Sequence, residues 1–220
     1  MHRFQLLLLL LILSTICQAQ SDDLHGLWVI DLVTVGEDQM TPNARWTRFH
    51  ADQTQESGNG RFQHSYGTWS LTSTSNELTI KNTNGIYDSA DPFVVTFKGD
   101  QMIWRRTEEG QPVTVHLKRS NQLPETHGDR LLGLWELTEA TGDGSYFGET
   151  DASIQSSYIF FRWDKRFVIQ SQRGRINGVY NAHGHKSEVE LIPYGEKLNR
   201  DFWRIDFEDN QLTLHLLNSE

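Results

Sequence analysis

The chain of 220 residues contains a single cysteine, Cys17. That excludes a disulfide framework, and with it any site built on several thiolates. Only five prolines and three methionines are present, too few for a proline-rich linker or a methionine-lined groove. No apolar run reaches the roughly 20 residues of a membrane-spanning helix. No G-x-S-x-G, H-E-x-x-H or P-loop pattern occurs, so the common signatures of hydrolase, metalloprotease and nucleotide chemistry are missing. "GDGSYFG" at Gly142–Gly148 has the glycines of a phosphate loop, but no following helix to receive an anion.

Charge of one sign is also short. Residues 21–120 carry 13 acidic and 9 basic side chains, and residues 131–220 carry 14 and 9. Divided this way, neither half offers a concentrated basic face, which argues against a nucleic-acid partner and against binding to anionic membranes.

What is present begins with a leader. "MHRFQLLLLLLILSTICQAQ" has a basic start at Arg3, a leucine-rich run over Leu6–Leu13 and a small-residue exit at Ala19, the anatomy of a secretory signal over residues 1–19. A lipoprotein signal acylated on Cys17 competes, but "STI" before it lacks the adjacent small residue. The mature chain is expected to be exported, periplasmic or extracellular, not inserted in a membrane, and free of cysteine. Its net charge moves from −9 to −10 with the loss of Arg3.

The rest of the chain reads as a duplication. "GLWVIDL" at Gly26 returns as "GLWELTE" at Gly133, "FHADQT" at Phe49 as "FRWDKR" at Phe161, "GTWSL" at Gly67 as "GVYNA" at Gly178, and "FVVTFKGDQM" at Phe93 as "WRIDFEDNQL" at Trp203. A polar connector over residues 121–130 carries Pro124 and Gly128, as a linker does. Domains are therefore expected at 24–120 and 131–220. Period-two alternation in "FVVTF", "VTVHL", "WRIDF" and "LTLHL" predicts half-buried strands. "KGDQ" and "EDNQ" between such runs predict tight hairpins.

Eight strands are expected in the first half, at 27–34, 45–51, 61–66, 67–73, 77–82, 93–98, 101–107 and 112–119. About seven are expected in the second, which has no counterpart of "VTVHLKRS" after "LTLHLL". The fold class is all-β, two tandem antiparallel up-and-down barrels, the second short of its last strand. Its edge is either open, as a place for strand addition or dimerisation, or covered by another segment such as the first domain or the linker.

On these residues the chain resembles the lipocalin-like domains of the calycin group, especially short exported forms from Bacteroidetes. The likeness lies in "GLW" opening the first strand, "FHAD", "GTWSL", "GDQM" and the closing "HLKR". The resemblance implies a barrel closed at one end, with a mouth able to hold a small apolar molecule. Gly26 and Gly133 then serve the bend into the first strand, and Trp28 and Trp135 plug the closed end as scaffold.

A pocket would draw its walls from inward positions: Trp69, Leu71, Phe97, Met102 and Trp104 in the first domain, and Phe160, Tyr180, Trp203, Phe207 and Leu214 in the second. The same residues could instead fill a solid core. Val35–Arg45 and Ala140–Ser157 occupy the place of loops over the mouth, and Tyr146 and Phe147 in the second are candidates for a protein contact. His183 and His185 share a strand spacing that suits a metal, but they lack a third ligand and read more simply as a polar turn. His116 and His215 fall on the outward phase. No metal, cofactor or catalytic group is assigned. The leading reading is a non-enzymatic carrier of a small hydrophobic molecule, with the first domain as the better host. The alternative is a protein-interaction or structural module acting through its loops or an exposed sheet edge.

Overall fold

The computed structural model describes residues 23–83, 90–140, 157–195 and 200–217, and the chain divides into two units after Pro124. The expected leader, with Cys17, and the aromatic pair Tyr146 and Phe147 lie outside the described residues.

The first unit holds β1 (Gly26–Val35), β2 (Asp38–Met40), β3 (Trp46–Phe49), β4 (Thr54–Asn59), β5 (Phe62–Thr72), β6 (Glu77–Asn82), β7 (Phe93–Lys98), β8 (Gln101–Glu108) and β9 (Gln111–Ser120). Apart from β2, each pairs with the next, and β9 returns to pair with β1. The result is a closed, antiparallel, up-and-down barrel of eight strands. Closure runs from Leu27↔Ser120 to Val35↔Val113, with a bulge between Ile30 and Leu32 that lets the strand bend round the barrel. β2 is extra. It folds back on Val33–Val35, so part of the loop expected over Val35–Arg45 is a short exposed hairpin.

The strand assignment needs one correction. Residues 61–66 and 67–73 form one strand, β5, and the eighth place is taken by β4, "TQESGN", which has no apolar residue. Gly67 does not break β5. A Cβ there would stand 2.1 Å from the Lys81 carbonyl oxygen, so the glycine permits a close approach of two strands. β4 is recruited by pairing with β3 and β5. Its inward Gln55 is buried, and its amide donates to Thr47 Oγ1 at 2.9 Å.

The second unit holds helix α1 (His127–Leu131), β10 (Gly133–Glu136), β11 (Tyr158–Phe161), β12 (Arg166–Ser171), β13 (Gly174–Ala182), β14 (Glu188–Pro193), β15 (Asp201–Glu208) and β16 (Gln211–Leu217). These seven strands pair in sequence order and leave β10 and β16 as edges of an open half-barrel. The later part of the expected linker is α1. Thr126 and Asp129 close a capping box at its start, which satisfies two helix N–H groups. Leu131 at its end is fully buried in the core of this unit.

The duplication extends to hydrogen bonds outside the sheet ladders. The indole N–H of Trp28 donates to the Leu24 carbonyl, and that of Trp135 to the Leu131 carbonyl, each at 2.8 Å. Leu24 and Leu131 are both fully buried. Between each leucine and tryptophan lies a glycine at positive φ, Gly26 at 114° and Gly133 at 129°, where a side chain would be strained. Trp69 Nε1 donates to the His50 carbonyl at 3.1 Å, and Tyr180 Oη to the matching Arg162 carbonyl at 2.8 Å. Gly178 repeats Gly67, its Cβ position lying 2.3 Å from the Ile192 carbonyl oxygen.

Candidate binding site

In the first unit the interior is occupied by interlocking rings. Phe49 meets Trp69 edge-on at 5.8 Å and Trp104 at 6.1 Å, and Phe93 tilts against Trp104 at 5.3 Å. Trp28 packs on Phe97 at 6.2 Å. Of the expected wall residues, Trp69, Met102 and Trp104 are buried in this core, while Leu71 and Phe97 pack partly buried against it. Such contacts hold rings in place beyond what area burial alone supplies. Arg119 on β9 seals this end. Its guanidinium lies 4.3 Å from the Trp28 ring centroid and donates to the carbonyls of His25 at 2.7 Å and Asp23 at 2.6 Å.

The second unit differs at the corresponding seam. Between β10 and β16 lies a cleft of about 850 Å³, with Trp135, Ile159, Leu191, Trp203, Leu212 and Leu214 among its apolar walls. Ile159 and Leu191 are buried by the sheet behind them, whereas Trp135, Trp203, Leu212 and Leu214 are only partly buried. Leu216 is 48% exposed. Polar groups rim the cleft at Glu136, Glu139 and His215. His215 Nε2 stands 3.0 Å from Asp206, which Arg204 also contacts at 3.2 Å.

The structure therefore brings Trp203 and Leu214 together in one cleft, and adds Trp135, Ile159, Leu191 and Leu212. Phe207 lies elsewhere, stacked on His127 and packed on Trp135 at 6.0 Å, with Arg130 of α1 4.2 Å from its ring centroid. Tyr180 is buried against Phe161. Phe160 is not a wall residue. Its neighbours Ile159 and Phe161 take the inward phase, leaving Phe160 38% exposed on the outer face.

A second cleft, of about 440 Å³, is lined by Arg162, Arg166, Arg175 and Tyr194. These arginines belong to a local run that the count by halves averages away: residues 162–175 hold five basic side chains and one acid. That acid, Asp164, takes two hydrogen bonds from Arg162, at 3.1 and 2.9 Å. Desolvation pulls its pKa up, but the hydrogen bond and charge of Arg162 outweigh this and hold the carboxyl below its ordinary value. Asp52, at the matching turn, is lowered chiefly by hydrogen bonds from the side chain and backbone of Thr54.

Among the described residues no group of three or more His, Cys, Asp or Glu could hold a metal ion. His183 Nδ1 accepts the backbone N–H groups of His185 and Lys186, at 3.1 and 3.0 Å. The "HGH" segment lies in the turn between β13 and β14.

No family model, curated protein or solved structure matches this chain.

Proposed function

We propose that the protein is an exported, non-enzymatic, lipocalin-like binding protein that works by burying an apolar ligand in the open seam of its second barrel. The observation that carries this reading is the cleft of about 850 Å³ with leucine, isoleucine and tryptophan walls. Its volume falls within the range of small-molecule sites. Its apolar walls are already held by β11, β14, β15 and β16. The host differs from the one favoured by sequence, because the aromatic core occupies the interior of the closed first barrel.

The lipocalin-like resemblance supports a carrier, and the two sheet edges support a partner. Both readings use this one seam.

The test is titration of the mature chain with an apolar fluorescent reporter such as N-phenylnaphthylamine. Saturable binding is expected at one site, lost in Leu214→Glu and retained in Val94→Glu on the outer face of the first barrel. A linear response shared by all three proteins would refute the reading.

A further inference from the structure

We propose that the natural occupant of the seam is an extended polypeptide segment of a partner protein, added as an eighth strand between β10 and β16. This rests on the reading of the seam as a binding site and names the class of its ligand. The first unit supplies the template. There β9 fills the equivalent place, pairing at eight positions with β1 and at eight with β8. The duplication aligns β10 with β1 through Trp28 and Trp135. It aligns β16 with β8 through Met102 and Leu212, and through Trp104 and Leu214.

Burial records what that strand covers. Trp28, Met102 and Trp104 are buried in the first unit, whereas Trp135, Leu212 and Leu214 are only partly buried in the second. The two sheet edges beside the cleft, β10 and β16, also present backbone N–H and C=O groups. A compact apolar molecule covers the side chains but leaves those groups to water. A strand satisfies both, in the manner of strand addition at a sheet edge.

The template also gives the guest's chemistry. Val113, Val115 and Leu117 are the buried positions of β9, with Val115 opposite Trp104 and Leu117 opposite Met102. The guest therefore carries apolar residues at every second position, to face Leu212, Leu214 and Leu216. On the outward phase Lys118 lies opposite Val29, and the second unit has Glu136 where the first has Val29. A basic guest residue there meets a carboxylate directly across the strands.

A second copy of this chain is a poorer guest. Its β9 is engaged along both edges, and β2, its described strand outside the two barrels, is three exposed residues long. Among the described residues the copy then has only its own β10 or β16 edge to offer, and these extend a sheet edge rather than fill the seam.

The experiment uses a labelled synthetic peptide with the sequence of Gln111–Ser120, added to the full mature chain. It is expected to bind saturably and to displace the apolar reporter. Methylation of the peptide's alternate backbone nitrogens is expected to weaken binding by at least about tenfold, through lost ladder hydrogen bonds. Glu136→Lys is expected to weaken it about fivefold, and a peptide with glutamate at the Lys118 position to recover the loss.

Reporter binding without peptide competition would overturn the strand proposal and leave the apolar-ligand reading standing. Failure of both reporter and peptide to bind would remove both. Peptide binding that survives N-methylation, or ignores Glu136→Lys and the charge swap, would place the peptide elsewhere and overturn the proposal. A dimer in sedimentation equilibrium that excludes the peptide would overturn it in favour of a second copy.

Discussion

The two units share their internal fastenings and differ in closure. In each, a buried leucine, a left-handed glycine and a tryptophan form one lock, fixed by an indole N–H on the leucine carbonyl. In each, the aromatic two residues after the close-approach glycine, Trp69 or Tyr180, ties the fourth barrel strand back to the Phe-x-x-Asp turn. None of these hydrogen bonds is made by the last strand, so a sheet of seven strands retains all of them. The difference falls on the residues beside the seam, which lose a neighbour. It also falls on the arginine, which β9 supplies over Trp28 in the first unit and α1 supplies over Phe207 in the second.

The comparison breaks most visibly at the shared tryptophan. Trp28 is fully buried, so Trp28→Ala is expected to cost about 3–5 kcal/mol. Trp135 is partly buried, so Trp135→Ala is expected to cost about 1.5–3 kcal/mol. Hydrogen exchange read separately over each unit's peptides measures both within one chain. Equal losses would mean that the seam is covered in solution. The glycines sharpen the comparison from the other side. Gly67→Ala and Gly178→Ala each drive a methyl group toward a carbonyl oxygen of the next strand. Each is expected to cost about 1–3 kcal/mol, confined to its own unit in the same exchange measurement. A loss in one unit alone would show that the two approaches are not equivalent.

How far the sequence could be read follows the same divide. Alternation in β7, β8, β9, β15 and β16 is carried by side chains that face one core, and so it is visible in the letters. The missing strand was legible as a missing "VTVHLKRS". β4 was not legible, because "TQESGN" holds its place through backbone pairing on both edges. Helix α1 was hidden in a polar connector, although Thr126 and Asp129 carry the spacing of a capping box. The cleft was legible only as an edge. Phe160 reads as a wall until the register of β11 and β12, with Ile159 and Phe161 on the inward phase, shows that it faces outward. The arginines at 162, 166 and 175 are visible as a run, but their convergence depends on the β12–β13 pairing.

The smallest expected effect lies where a tryptophan in one unit is replaced by a tyrosine in the other. Burial, with smaller contributions from the charges of Asp164 and Asp129, pushes the Tyr180 phenol from 10.0 up to about 12. The folded chain therefore holds this proton more tightly than the unfolded chain. Below pH 10 the stabilisation is complete. Between pH 10 and about 12 the unfolded chain gives up the proton first, and stability falls as pH rises through that window. Trp69 has no proton to lose, so the first unit lacks this dependence. Tyr180→Phe is expected to cost about 1 kcal/mol near neutrality, through the lost bond to Arg162. It is also expected to flatten the alkaline fall in the urea midpoint, followed by far-ultraviolet circular dichroism. An unchanged alkaline slope would mean that the phenol titrates as in the unfolded chain, and that its ring is not held against Phe161 as Trp69 is held against Phe49.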